Sequence, residues 1–327
     1  MSKETRKKSI LFPCVVTILV LLIFISGLQL LESTVFFKHQ GVVDQSFESK
    51  TIVRDGISYF PRQDIKVLLI LGIDDFGPVT ENTMLHQAGA ADMVTLVVFN
   101  ETSKSVSLLV LNRDTMLEMP VLGIGGKEAG TYFGQLALSH TFGSGLKDSC
   151  ENSKKTVSNF LYGLRIDYYL AMNMDAITIL NDAVGGVTVN VVDDFSAIDS
   201  TISKGIVTLR GQQAINFVRT RQGLSDQLNI SRMERHKEYM RGFVEALLEK
   251  RKDPSFVINT YDRVSDYIVT DCTVTVMNDL LTKYADYPIS EVISPPGDNV
   301  MSDFYEFYVD SDALEEIILK LFYVPKQ

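Results

Sequence analysis

The chain has few of the residues that announce a disulfide scaffold or a zinc enzyme. Three cysteines and four histidines are spread over 327 residues. Cys14 falls in an apolar N-terminal run, so only Cys150 and Cys272 remain, and one bridge between them is the most they allow. Two thiols cannot staple a domain together, and the fold must stand on its hydrophobic core. HExxH and CxxC are both missing, and His39, His86, His140 and His236 have no spacing suited to zinc. The run GIGGKEAGT is no phosphate loop, because Glu128 follows Lys127 where Ser or Thr is needed. Phe142-Gly143-Ser144-Gly145 is not GxSxG, so nothing supports a nucleophilic serine. Positive charge is also short. Lys and Arg number 31 against 41 Asp and Glu, a net of −10, and no basic–aromatic stripe appears, which excludes a nucleic-acid surface.

One long apolar run is present. Ile10–Leu31 is uncharged and long enough to span the hydrocarbon of a bilayer. Lys3, Arg6, Lys7 and Lys8 precede it and place the N-terminus in the cytoplasm. A cleaved signal peptide is the competing reading, but its apolar part is shorter and ends at a small-x-small site not found here. The expected organisation is a cytoplasmic tail at 1–9, a transmembrane anchor at 10–31, an extracytoplasmic stalk at 32–62 and a single domain at 63–327.

Short β-rich runs at Lys66–Ile73, Met93–Asn100 and Ser105–Asn112 read as strands, the last two joined by a hairpin-length connection at Glu101–Lys104. Further strands are expected at Asp167–Met172, Val187–Val192 and Phe304–Val309. Helices are expected at Asn152–Tyr162, Asp175–Val184, Gly211–Val218, Arg232–Lys250, Pro254–Tyr267 and Val274–Tyr284, and from Asp312 onward with Glu315 completing a cap. Gly185-Gly186 supplies a left-handed helix stop. The interleaving predicts an α/β fold, a mixed central sheet with helices on both faces in three layers.

Charge collects in two places. Arg210–Lys252 carries ten Lys/Arg against five Asp/Glu in an otherwise acidic chain. Within it, Ser231 and Glu234 form a capping box, so the long helix should begin near Arg232 with Arg235 beside it. Arg219 and Arg221 would point the same way if their segment is extended. Guanidinium forks at a helix N-terminus suit phosphate or pyrophosphate; a solvated helix laced with ion pairs is the plainer alternative. The second collection lies at strand ends: Asp74 and Asp75, Asp92, then Arg113-Asp114. Two carboxylates such as Asp74 and Asp92 suit Mg²⁺ shared with a phosphate, although aspartate is common in turns anyway.

These blocks follow one another in a familiar order. LLILGID, AADMVTLVVFN, SVSLLVLNRDTMLEMP, FLYGLRIDYYLAMNMDAITILNDAVGGVTVNV, TLRGQQAINFVRTR and SRMERHKEYMRGFVEALLEK together resemble the LytR-CpsA-Psr family of bacterial cell-wall proteins, from about Gln63 to the C-terminus. The resemblance implies a membrane-anchored extracytoplasmic α/β domain of a bacterium of Gram-positive type. It implies transfer of a glycopolymer phosphate (teichoic acid, capsule or another anionic glycan) from a polyprenyl-pyrophosphate carrier to peptidoglycan, assisted by Mg²⁺. By match to the family motifs, Asp74 and Asp92 are the metal aspartates and Arg113-Asp114 the pair after the third strand. Arg219 and Arg221 are the paired arginines, and Arg232, Arg235 and His236 open the next helix, so that Arg113, Arg219, Arg221, Arg232, Arg235 and His236 form the implied pyrophosphate set. Catalysis is implied for Arg113, Asp114, Arg219 and Arg221, with Asp114 expected to orient Arg113. The chain departs from the pattern at Ala90-Ala91-Asp92-Met93, where Arg-Ser-Asp-Thr is usual, and at Asn229-Ile230-Ser231-Arg232, where Asp-Phe-Gly-Arg is usual. Two readings stay open: a transferase, or a degenerate relative that binds polyprenyl pyrophosphate or a wall-assembly partner without turnover. The tail of such a carrier needs an apolar tunnel between sheet and helices.

Overall fold

The computed structural model describes residues 51–82, 86–123, 126–220, 229–250, 253 and 255–326. The expected tail, the anchor at Ile10–Leu31, most of the stalk and Arg221 lie outside the described residues. Among the described residues no helix is long and apolar enough to cross a membrane.

In chain order the strands are β1 (Ile52–Arg54), β2 (Ile57–Pro61), β3 (Ile65–Ile73), β4 (Ala91–Asn100), β5 (Ser105–Leu111), β6 (Met116–Leu122), β7 (Glu128–Gln135), β8 (Tyr168–Met172), β9 (Val187–Val191), β10 (Gly205–Leu209), β11 (Ile268–Thr270), β12 (Ile289–Ile293), β13 (Gly297–Met301), β14 (Tyr305–Val309) and β15 (Tyr323–Pro325). The helices are α1 (Lys147–Phe160), α2 (Met174–Ala183), α3 (Gln212–Arg219), α4 (Asn229–Lys250), α5 (Phe256–Val264), α6 (Val274–Lys283) and α7 (Ser311–Phe322). Six strands make the central sheet in the order β11-β8-β3-β4-β5-β12. It is mixed: β3 runs antiparallel to β4 and parallel to β8, and β12 runs parallel to β5.

Strand alternation sends each strand's apolar residues to two different layers. Val67, Leu69 and Leu71 of β3, with Leu96 and Val98 of β4, pack against Val157 of α1 and Leu314, Ile318 and Leu321 of α7. Ile70, Val97, Val106 and Leu108 face the other way, toward Met240 of α4. Helices therefore cover both faces of the sheet. A third cluster lies outside it, where the β9–β10 hairpin packs Val187, Val189 and Leu209 under Phe217 of α3 and Tyr239 of α4.

Local chemistry explains the boundaries. Asn100 Oδ1 accepts from the backbone N–H of Thr102 and Ser103, closing the turn between β4 and β5. Asn173 caps α2 by accepting from Ala176 N–H, and Gly185 and Gly186 end it at φ of 91° and 96°. Other boundaries correct the expectation. α4 begins at Asn229, so Ser231 sits inside the first turn and is not the cap. α7 is capped by Asp310, whose Oδ1 accepts from Asp312 and Ala313 N–H, so the helix starts at Ser311. α1 starts at Lys147, because its first turns bury small polar residues; Asn152 there donates to the Pro120 and Ser139 carbonyls. The stretch Pro254–Tyr267 holds only the short α5 and a 3-10 turn at Ser265–Tyr267. Part of the expected stalk is structured: β1 and β2 form a small sheet with β15 from the other end of the chain. Cys150 and Cys272 are both buried and unpaired, and no disulfide joins them.

α4 lies so close to β9 that a Cβ built on Gly242 falls 2.3 Å from the Thr188 carbonyl oxygen. Backbone cannot yield there as a flexible side chain would. Gly242→Ala is therefore expected to destabilise the domain by about 2 kcal/mol or more through overpacking, measured as a lower denaturation midpoint; an unchanged midpoint would mean that α4 does not rest on β9.

Candidate functional site

The pairing of β3 with β4 slips by one residue between Gly72↔Met93 and Ile73↔Ala91, leaving Asp92 as the extra residue of a bulge. A bulge bends its strand and re-aims a side chain. Here it brings the buried Asp92 carboxylate between two guanidiniums. Oδ1 accepts from Arg113 Nη1, and Oδ2 accepts from Arg232 Nη1 at 3.0 Å. Arg113 also donates through Nε to Asp114 Oδ1 at 3.0 Å. That same oxygen receives Gln135 Nε2 at 2.9 Å, and Gln135 further donates to the Tyr305 carbonyl. Sequence reasoning did not single out Gln135; it lies at the end of β7, and neither β6 nor β7 was anticipated.

A second pair sits beside the first. Asp74 N–H donates to the Ala90 carbonyl at the end of β3, and the half-exposed Asp74 carboxylate lies 3.3 Å from Arg219 Nη2. The Arg219 guanidinium rests over the Phe76 ring at 5.1 Å, a cation–π contact that holds it at the surface. Arg219 is the last residue of α3 and is therefore helical, while Arg221 lies outside the described residues. Among the described site residues, three guanidiniums (Arg113, Arg219, Arg232) stand against three carboxylates (Asp74, Asp92, Asp114).

Two residues of the expected pyrophosphate set are engaged by the backbone at the end of α3: Arg235 lies outside the lining of the cavity described below, whereas His236 belongs to it. Arg235 is buried and its donors are taken: Nη1 to Asp193 at 2.7 Å, Nε to the Phe217 carbonyl at 2.8 Å and Nη2 to the Thr220 carbonyl. It holds the end of α3 against α4. His236 Nε2 donates to the Val218 carbonyl at 2.9 Å. Burial, reinforced by the neighbouring Arg232 charge, brings its pKa down to about 3, so the ring is neutral and offers no cationic clamp. Helix periodicity put Arg235 and His236 on the α3-facing side of α4, which residue type alone does not reveal.

Behind these charges lies a cavity of about 300 Å³ between the sheet and α2, α4, α5 and α6. Asp92, Arg219 and Arg232 are the charged residues of its lining; the rest is almost wholly apolar, with Leu68 and Ile70 on the floor of the sheet and Met240, Phe243 and Leu247 on α4. The arrangement can bury a long apolar group while an anionic end meets guanidiniums. Among the described residues no cluster of three or more His, Cys, Asp or Glu stands ready for a metal. Asp74 and Asp92, on adjacent strand ends, are the carboxylates that could contribute oxygens to a hard cation shared with a phosphate.

This geometry has relatives. The model of the LytR_cpsA_psr family matches residues 36–322, and the chain belongs to that family. It is 27% identical over 262 residues to a polyisoprenyl-teichoic acid–peptidoglycan teichoic acid transferase, TagU of Bacillus anthracis, over 78% of this chain and 77% of the relative. A protein of the same name from Bacillus mycoides is 28% identical over 260 residues, with the same coverage of 78% and 77%. Among solved structures, gbs0355 of Streptococcus agalactiae superposes with a TM-score of 0.64 at 20% identity, over 79% of this chain and 86% of that one. TagT bound to LI-WTA superposes at 0.60 with 21% identity, over 85% and 97%. These structures share the fold.

Two predictions follow from the burial of charge. Asp92→Ala strands two guanidiniums against each other and is expected to cost about 3 kcal/mol or more, read from denaturant unfolding; a loss no larger than that of a surface Asp→Ala would show the bridge to be idle. His236 and the equally buried His140 both have pKa values lowered in the fold, chiefly by burial. The unfolded chain takes up their protons first, so their stabilisation is complete above about pH 6.5 and is lost as pH falls below it. His236→Gln is expected to remove about one proton of that slope between roughly pH 6.5 and 5, above the carboxylate range. An unchanged slope would mean that His236 is already charged in the fold.

Proposed function

We propose that this protein is a phosphotransferase that moves an anionic glycopolymer from a polyprenyl-pyrophosphate carrier to peptidoglycan. The observation that carries the reading is an apolar cavity whose charged lining residues, among those described, are Asp92, Arg219 and Arg232. Few ligands other than a lipid with an anionic head match both halves. The TagU relatives, named for transfer of teichoic acid from a polyisoprenyl carrier to peptidoglycan, support the same class of reaction.

On this reading Arg219, half-exposed and held among the described residues by Asp74 and Phe76, turns to the pyrophosphate when it arrives. Arg113 and Arg232 meet it from the other side, with Asp114 fixing the plane of Arg113. Guanidinium forks offer paired N–H donors to phosphate oxygens and fix its orientation. A peptidoglycan sugar hydroxyl then attacks the sugar-linked phosphorus. The new O–P bond forms as the bridging P–O bond breaks, polyprenyl monophosphate leaves, and the hydroxyl proton is released. Positioning and charge neutralisation supply most of the catalysis in such a transfer.

A divalent cation fits this charge balance. Three carboxylates already balance the three described guanidiniums, so a pyrophosphate would leave the site strongly negative. We infer that Asp74 and Asp92 would hold a Mg²⁺ ion arriving with the substrate, which would offset charge on the leaving phosphate.

The test is incubation of the full chain with a short-glycan polyprenyl pyrophosphate, Mg²⁺ and a peptidoglycan oligomer, following polyprenyl monophosphate. Release should require the acceptor and be abolished by chelation. Arg219→Ala should lower kcat/KM by about 10²-fold without changing stability, since the side chain is not packed in the core. Tight lipid binding with no release under any condition would replace the transferase by the non-catalytic binder.

A further inference from the structure

The cavity that begins at the arginines has a second end. Its lining on β4 runs from Asp92 to Phe99, seven steps of about 3.3 Å, which makes that wall about 23 Å long. On α4 the lining runs from Arg232 to Leu248, sixteen steps of about 1.5 Å, or about 24 Å. Two walls from different elements give the same depth.

α6 crosses the far end. It starts just after Cys272, beyond the point where the last residue of β11 meets the middle of β8 through Thr270↔Leu170, and it finishes near the end of β4, where Tyr284 stacks on Phe99. Met277, Leu280 and Leu281 line the cavity, while Thr275, Asn278, Asp279 and Thr282 face solvent. Both ends of the helix are tied down. At the start, Thr273 Oγ1 accepts from Val276 N–H, and the nearby Asp271 carboxylate accepts from Tyr169 N–H at 2.7 Å. At the finish, the buried Tyr284 ring stacks on Phe99 with centroids 4.4 Å apart, and Tyr287 packs edge-on at 5.2 Å. The Tyr284 hydroxyl donates to Glu101 Oε1 at 2.9 Å, and Lys283 Nζ reaches the same oxygen at 2.6 Å. Glu101 belongs to the β4–β5 turn, so the latch fastens the helix to the sheet.

We propose that α6 and the Phe99–Tyr284–Tyr287 stack form a floor that fixes how much of a prenyl tail the cavity holds, with Tyr284 the residue that determines tail-length selectivity. The inference rests on the polyprenyl reading of the site. Each isoprene unit buried against apolar walls strengthens binding, whereas a unit that meets the floor adds nothing. Affinity should therefore climb with tail length and then level off.

The experiment measures dissociation constants on the full chain, by competition with a fluorescent prenyl probe in detergent, for two series of equal tail lengths from geranyl to undecaprenyl: the pyrophosphates and the corresponding prenols. In the unmodified protein affinity is expected to rise by about ten-fold or more per added isoprene until the tail reaches the floor. Tyr284→Ala should move the plateau to longer tails by at least one unit and leave geranyl binding unchanged. Tyr284→Phe, which keeps the ring, should keep the plateau in place. Phe99→Leu removes the ring beneath Tyr284 and should give the same outward shift if Tyr284→Ala does not fold. An unmoved plateau in variants that still bind geranyl compounds overturns the floor, as does affinity that keeps rising to the longest tail. Failure of the two readings looks different. Prenols that level off, with pyrophosphates no tighter, leave the floor standing and sink the arginine site; pyrophosphates that bind tightly with no dependence on tail length sink the floor alone.

Discussion

One buried carboxylate ties the site together. Asp92 is pushed out of the regular ladder by the β4 bulge, and its two oxygens receive Arg113 from the end of β5 and Arg232 from the start of α4. A charge taken out of water is tolerable only when paired and hydrogen-bonded. Each partner here depends on the other two, so the sheet, the loop after β5 and the first turn of α4 are held in one arrangement. One turn further on, Arg235 and His236 grip the carbonyls of Phe217, Thr220 and Val218, which fixes the end of α3 against α4. Arg219, the last residue of α3, is delivered to the mouth of the cavity as a consequence.

The same pinning explains why a void persists behind the charges. Protein interiors normally close to crystal-like density, and apolar side chains around a gap lose contacts they would otherwise make. Here the helical layer cannot settle onto the sheet. Polar contacts fix it at the Asp92 end, the Glu101 latch fixes α6 at the other, and Gly242 already brings α4 into contact with the β9 backbone. The cavity is thus held open by contacts around its edge, a reasonable way to keep an apolar site ready for an apolar guest.

Much of this was legible in the residues. The runs at Lys66–Ile73, Met93–Asn100 and Ser105–Asn112 are β-branched and apolar on both sides, and they became the three central strands. Asp92 and Arg113 drew attention because charged residues at strand ends are unusual neighbours of such runs, and Arg232 through its place at a helix start. What stayed hidden depends on tertiary contacts. Periodicity places Arg232 and Arg235 side by side on α4, yet one meets Asp92 and the other Asp193, because the two face different elements. The β6–β7 hairpin and β13 carry Gly, Pro and exposed polar residues, so they lack an apolar alternation that would announce strands. β1 and β2 looked like stalk because their partner β15 comes from the far end of the chain. The cavity itself leaves no mark in sequence: Leu, Met and Phe read alike whether they touch one another or an empty space.

The resting site is also a statement about what must change when a ligand enters. An isolated cluster of arginines would repel itself in the absence of phosphate and would gather any passing anion. Pairing each described guanidinium with an aspartate removes both problems, but it makes anion binding an exchange in which carboxylate partners are given up for phosphate oxygens. The exchange is cheapest at Arg219, which is half-exposed and bound to Asp74 at 3.3 Å, and dearest at Arg232, which is buried on Asp92. On the reading proposed above, the order of engagement follows from that difference: Arg219 turns to the head group first, while Arg113 and Arg232 remain fixed as the surface against which it is aligned. On the proposed reading, Asp74, released as Arg219 turns away, becomes an oxygen donor for the cation that accompanies the pyrophosphate. A single set of residues then serves the empty and the loaded site without leaving a buried charge unpaired in either.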